Sequence, residues 1–374
     1  MKRDSRKGAK TQRTPGNAAA FFAPLRLCVT PSGPVLGVIV SIAAWLFGAN
    51  EIMAARLEVL EITSAKLRGN PLGDPAVRRL AVFIPDDAND AAHIPLVVYL
   101  PGWGGSSEDA IAAGAGAWFG QVVDQLAARG RPVRIAVVDG RSRYGGSQFL
   151  NSAATGDYAD YVADEIVPAL TKGGAAVCII AGHSSGAYGA LMLAMSRHER
   201  FTAVVALSPD SDFDTTHKAL VGQPSVRAVT PAELDAAMAP AQTARLPADG
   251  SARLIMGLCA NYAPTAGQPG RFDWLYDAAG HWRAETWQRW LALDPLTLVR
   301  QNPAAFAATQ RIYLDGAEHD EFGANIGAAK IHAILRERKA PVTFHESPGH
   351  HSDRLPERLV RGLAWVFGKP EAGL

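Results

Sequence analysis

From residue 56 onward, short continuous apolar runs alternate with stretches whose apolar residues recur every three or four positions. The runs 95–100 (PLVVYL) and 175–180 (AAVCII) are too short and too uniformly apolar for amphipathic helices. They read as strands buried on both faces. Runs at 57–62, 79–84, 133–138, 202–207, 311–314 and 341–344 complete the series, and helical spacing marks 110–128, 158–170, 187–195, 324–338 and 355–367. This alternation predicts an α/β fold: a mostly parallel central sheet with helices on both faces, joined by right-handed crossovers. Active sites in such sheets lie at the carboxyl ends of the strands.

The rhythm breaks at about 211–300. No strand pair is evident there, Thr230-Pro231-Ala232-Glu233 forms a helix start with a capping box, and Trp282, Trp287 and Trp290 follow. An inserted helical, cap-like region over the active edge is expected. In that reading the tryptophans between 274 and 290 and the loop 141–150 line the pocket; the plainer reading is an excursion with an aromatic core of its own.

Residues 1–55 have a different character. Lys2, Arg3, Arg6, Lys7, Lys10, Arg13 and Arg26 face only Asp4 and Glu51, and the uncharged run 35–47 (VLGVIVSIAAWLF) follows. Thirteen residues are short for a membrane-crossing helix, which needs about 20, but suit the apolar region of a secretory signal with a small-residue end at Ala54-Ala55. Export is therefore expected, to the periplasm or the medium. The alternative is an uncleaved membrane anchor, since residues 27–50 are all uncharged. The folded domain is expected at 56–374.

Composition narrows the chemistry. The 374 residues carry a formal net charge of +1, so there is no global electrostatic footprint for nucleic acid. Three cysteines (Cys28, Cys178, Cys259) cannot form a disulfide scaffold, and no CxxC pair suggests zinc.

Gly182-His183-Ser184-Ser185-Gly186 fits G-x-S-x-G, directly between the run 175–180 and the helical stretch 187–195. A strand-to-helix turn would lift Ser184 above the sheet with the positive end of the new helix beneath a developing oxyanion. Ser185 belongs to the helix start, where its backbone N–H is useful, and His183 reads as packing. A serine hydroxyl needs a base. The candidates are His350 and His351, after the run 341–344. An acid must orient that base; Asp320 is the best placed, with Asp315 and Glu318 as neighbours, and the order Ser, Asp, His suits the fold. The loop Pro101-Gly102-Trp103-Gly104-Gly105 follows the third strand, so Trp103 and Ser185 are the expected oxyanion donors. A rival metal reading of His319, Asp320, His345, His350, His351 and Asp353 matches no recognised ligand spacing, and no metal or cofactor is expected.

Over about residues 56–370 the chain resembles the esterase family of the α/β-hydrolase superfamily that includes S-formylglutathione hydrolases (esterase D), feruloyl and acetylxylan esterases, enterochelin esterase-like proteins and antigen 85-type mycolyltransferases. The resemblance rests on LVVYLPGWGGSSED, NSAATGDYADYVADEIVPAL, AGHSSGAYGALMLA, DPLTLVRQNP, RIYLDGAEHDEF and ESPGHHSDRL. It implies an α/β-hydrolase fold with Ser184 as nucleophile, Asp320 as acid and, through the Pro-Gly-x pattern on 348–351, His351 as base. The family's oxyanion donors fall on Trp103 and Ser185. Pro101-Gly102 replaces the usual His-Gly or Asp-Gly, and Ser352-Asp353-Arg354 replace the aromatics usual after the histidine. The expected activity is hydrolysis of a small-molecule or glycan-linked ester through an acyl-enzyme. Acyl transfer to a sugar or lipid acceptor and non-catalytic binding on the same fold are the alternatives.

Overall fold

The computed structural model describes residues 55–368 apart from 87, 89–90, 173–176 and 308–310. The basic N-terminal stretch on which the export expectation rests lies outside the described residues. Among those described, no helix is long and apolar enough to cross a membrane.

Eight strands form one sheet: β1 (Arg56–Thr63), β2 (Val77–Ile84), β3 (Leu96–Leu100), β4 (Arg134–Val137), β5 (Cys178–His183), β6 (Ala203–Leu207), β7 (Arg311–Ala317) and β8 (Val342–Ser347). Their order across the sheet is β1-β2-β4-β3-β5-β6-β7-β8. The β1–β2 and β2–β4 pairs are antiparallel; every later pair is parallel. The register runs Leu100↔Gly182, His183↔Leu207 and Leu207↔Asp315, which aligns the carboxyl ends of β3, β5, β6 and β7 on one edge.

The helices that cover the sheet or build on that edge are α1 (Ser107–Ala113), α2 (Trp118–Ala128), α3 (158–171), α4 (Ser185–Ser196), α5 (Gly250–Tyr262), α6 (Ala284–Leu291), α7 (Pro295–Gln301), α8 (Ala324–Glu337) and α9 (Leu355–Val366). Alternation along the strands divides the core. Leu96, Val98 and Leu100 pack with α3, α4 and α8, while Val97 and Tyr99 pack with α2 and α9. This is why the central runs are apolar throughout.

The single helix expected over 110–128 is two helices. Gly114, at φ +70°, takes a left-handed conformation that ends α1, and the chain restarts at Trp118. Periodicity alone bridged that gap.

Between β6 and β7 the chain is helical, with two isolated bridges (Pro264↔Phe272 and Tyr276↔Trp282). Thr230 caps the helix Pro231–Ala237, accepting from the Glu233 N–H while the Glu233 carboxylate accepts from the Thr230 N–H. A third apolar cluster gathers Met256, Cys259, Tyr262, Trp274, Trp287 and Trp290 with Tyr144 and Tyr188 from below. Trp274, Trp287 and Trp290 are buried in this cluster rather than lining the pocket beside Ser184. These tryptophans build a core of the insertion's own, while Thr216, His217, Leu220, Leu254 and Leu258 of the same segment line the pocket beside Ser184.

Candidate active site

β5 runs three residues past the apolar stretch that marked it and delivers Ser184 at φ +55°, ψ −123°. That backbone is strained for a residue with a side chain. It is held from both sides: the Ser184 N–H donates to Leu207 O at 2.9 Å, and the Ser184 carbonyl accepts from Tyr188 N–H at 2.9 Å. The flanking glycines are required by contact. A Cβ on Gly186 would stand 1.9 Å from Leu100 O, and one on Gly182 would stand 2.4 Å from the Gly186 backbone. The sharp turn exists because helix and strands approach more closely than any side chain allows.

The loop after β7 carries Asp320 and the loop after β8 carries His351. Asp320 Oδ2 lies 2.8 Å from His351 Nδ1, with the two side chains 0% and 6% exposed. The Asp320 Oδ1 atom accepts the Phe322 and Ala324 N–H groups at 3.0 and 3.3 Å. Burial alone would raise this carboxyl. The bonds from His351, Ser208 and Ala324, with the attraction of His351, outweigh burial and hold it below its ordinary value. A carboxylate acceptor puts the imidazole proton on Nδ1, leaving the Nε2 lone pair available. Nε2 is buried and has no protein hydrogen-bond partner among the described residues.

Ser184 and His351 share this edge. Phe322 lines a pocket of about 100 Å³ together with Ser184, Ser185 and Trp103, and its ring stands 4.8 Å from that of His351. His350 points away: its side chain is 66% exposed and its Nδ1 is 3.8 Å from Glu321. The other two acids lie elsewhere. Asp315 is fully buried, accepting from Arg358 Nε at 2.6 Å and Ser347 Oγ at 2.7 Å, while Glu318 is exposed. Of the residues in the rival metal reading, His319 and His350 are exposed, and Asp353 accepts from the His350 N–H.

Trp103 and Ser185 border the pocket from the loop after β3 and the start of α4. Neither backbone N–H has a protein acceptor among the described residues. The Trp103 indole is wedged between Gly145-Gly146 and Gly257 of α5, where an added Cβ would come within 2.8, 2.6 and 2.3 Å of the ring. Arg141 and Arg143 do not line this pocket. Arg141 donates to Gly104 O and Ser106 Oγ, and Arg143 to Ala239 O.

Sequence reasoning missed the residues that hold the histidine loop. Buried Arg358 on α9 donates to His351 O at 2.9 Å and to Ser208 Oγ at 2.7 Å, besides its bond to Asp315. Glu321 accepts the His351 N–H at 3.0 Å. His183 Nε2 meets the same His351 carbonyl at 3.0 Å, so that nitrogen must carry the proton. Burial, with the neighbouring His351, pushes the His183 imidazole down to about 3 and keeps it neutral. A signal for Arg358 existed: it falls on the apolar stripe of α9, with Leu355, Leu359 and Leu363.

The family model described as "Putative esterase" matches residues 76–355. The chain belongs to this esterase family. Membership makes it a serine carboxylic-ester hydrolase. Solved structures share the esterase's fold. The fluorophosphonate-binding serine hydrolase FphF of Staphylococcus aureus has a TM-score of 0.53 and 16% identity, over 84% of this chain and 99% of its own. A ferulic acid esterase gives 0.53 and 14%, over 84% and 98%. An S-formylglutathione hydrolase from Agrobacterium tumefaciens gives 0.51 and 17%, over 84% and 95%. No curated protein matches the sequence.

Proposed function

We propose that this esterase hydrolyses a small or glycan-linked ester outside the cytoplasm, with Ser184, His351 and Asp320 as its catalytic unit. The observation that carries the reading is the buried 2.8 Å bond between Asp320 and His351 Nδ1, which leaves Nε2 with an unused lone pair. His351 Nε2 takes the Ser184 proton as Oγ attacks the ester carbonyl. The Trp103 and Ser185 N–H groups hold the oxyanion of the tetrahedral intermediate. Its collapse expels the alcohol, which receives the proton from His351. Water, deprotonated by the same nitrogen, then attacks the acyl-enzyme, and Ser184 recovers its proton as the acid leaves.

Each oxyanion donor of this kind contributes about 10²–10³-fold in rate. The extracellular setting rests on the basic and apolar pattern of residues 1–55.

The test is kinetic. Ser184→Ala and His351→Ala should each lower kcat for a short-chain aryl ester by about 10⁴-fold or more, whereas His350→Ala should stay within about threefold of the unmodified enzyme. Equal losses at 350 and 351 would remove the base assignment. A Ser184→Ala enzyme with near-native turnover would remove the nucleophile.

A further inference from the structure

The Ser184 pocket contains one carboxylate among its described lining residues, Asp210, just beyond the carboxyl end of β6. Its two oxygens are in different situations. Oδ2 accepts from Ser185 Oγ at 3.0 Å and from Gln148 Nε2 at 3.2 Å. Oδ1 has no protein donor among the described residues and is not among the buried atoms lacking a partner. It is therefore an acceptor open to the pocket. No Lys or Arg pairs with Asp210 among the described residues. Thr216 and His217 also line the pocket but bond each other at 2.7 Å, and Leu220, Leu254 and Leu258 supply apolar wall.

Asp210 is held in place. Gln148, 1% exposed, also donates to the Tyr262 hydroxyl. Gln148 and Phe149 are successive non-glycine residues at φ +51° and +52°. Backbone in that region costs energy and persists where its surroundings enforce it; here it aims an amide at the Asp210 carboxylate. On the other side, Ser208 binds Arg358 and anchors the start of the loop. Asp210 thus sits one hydrogen bond from the side chain of the residue whose N–H faces the reacting carbonyl.

We propose that Asp210 is a substrate-contacting specificity residue: it selects esters bearing a hydroxyl or ammonium donor within a few atoms of the scissile carbonyl and disfavours esters bearing a carboxylate there. This rests on Ser184 being the nucleophile. An acceptor built into an otherwise largely apolar pocket loses its water when the ligand enters, so a ligand without a donor leaves it unpaired.

The experiment compares kcat/KM within matched sets, each corrected for the ester's rate with hydroxide. The acyl arm uses p-nitrophenyl butyrate, 3-hydroxybutyrate, 3-aminopropionate and hemisuccinate. The alcohol arm uses 2-hydroxyethyl butyrate against propyl butyrate. In the unmodified enzyme, a donor-bearing ester in one arm should be preferred about tenfold or more over its donor-free match, and the hemisuccinate should be the poorest of its set. The arm that shows the preference identifies the side of the ester that Asp210 reads. Asp210→Asn and Asp210→Ala should bring the ratio to within about twofold of unity. This preference is read first in the unmodified enzyme, so it does not depend on either variant folding. An enzyme that a fluorophosphonate labels at Ser184 but that shows no preference in either arm would overturn the proposal and leave the nucleophile intact. Retention of the native ratio in Asp210→Ala would overturn it as well. Absence of both labelling and ester turnover would overturn the Ser184 reading and this proposal with it.

Discussion

His183 precedes the serine but faces away from proton transfer. It is buried, neutral, and donates to the backbone of the loop that carries His351. Its folded value near 3 lies below the ordinary imidazole value of 6.5. Between those values the unfolded chain takes up a proton that the folded chain refuses. The stability it contributes is therefore complete above about pH 6.5 and is lost progressively as pH falls toward 3. His183→Gln keeps a donor without the titration. Its melting temperature should fall less steeply than that of the unmodified enzyme between pH 6.5 and 4, measured by circular dichroism. Parallel slopes would show that His183 is not the group being forced to stay neutral. At this scale the sequence was informative where neighbours in the chain act together. The sharp turn at Ser184, the glycines it requires and the buried position of His183 could be read from five consecutive residues. The acid was harder to read, because Asp320 has Asp315 and Glu318 within five positions of it. Their separation depends on side-chain direction: Asp315, within β7, turns into the core toward Arg358, while Asp320 turns toward His351.

Among the elements, α9 does more than cover the sheet. Arg358 ties strand β7 to the loops after β6 and β8 by donating to Asp315, Ser208 and the carbonyl of His351. Burial pushes the Asp315 carboxyl up against the pull of Arg358, so the pair depends on both partners. Arg358→Met leaves a buried acid uncompensated and should cost about 3–5 kcal/mol of stability by urea denaturation. Adding Asp315→Leu should recover much of that loss. A single variant within about 1 kcal/mol of the unmodified enzyme would mean that Arg358 is not essential to the buried pair. The strands were legible because their apolar runs are buried on both faces. Their ends were less so: β5 and β7 continue through Gly182-His183 and Gly316-Ala317, where small and polar residues interrupt the apolar signal. The break between α1 and α2 was missed for the opposite reason, since alanines on both sides of Gly114 preserve a helical appearance.

On the scale of the whole molecule, the segment between β6 and β7 bears on the proposed oxyanion loop through the seat of the Trp103 indole. Gly257 on α5 lies so near the Trp103 indole that an added Cβ would stand 2.3 Å from the ring. Gly257→Ala should displace the indole and, with it, the Trp103 N–H. A shift of about 1 Å in a catalytic group can cost about 10²-fold; a fall in kcat of tenfold or more is expected, with the melting temperature reported alongside. Unchanged kcat would show that the indole's seat does not set the position of the loop. The sheet and its covering helices could be read from periodicity, whereas this contact could not. It joins residues more than 150 positions apart, and nothing local to Gly257 or Trp103 announces the other.

The most direct measurement is covalent labelling of the full chain with a fluorophosphonate, followed by peptide mass mapping. The expected adduct is on Ser184, forming at least about 100-fold more slowly in His351→Ala because the serine then lacks its base. An adduct on another residue, or no adduct while the preparation continues to hydrolyse esters, would contradict the central assignment.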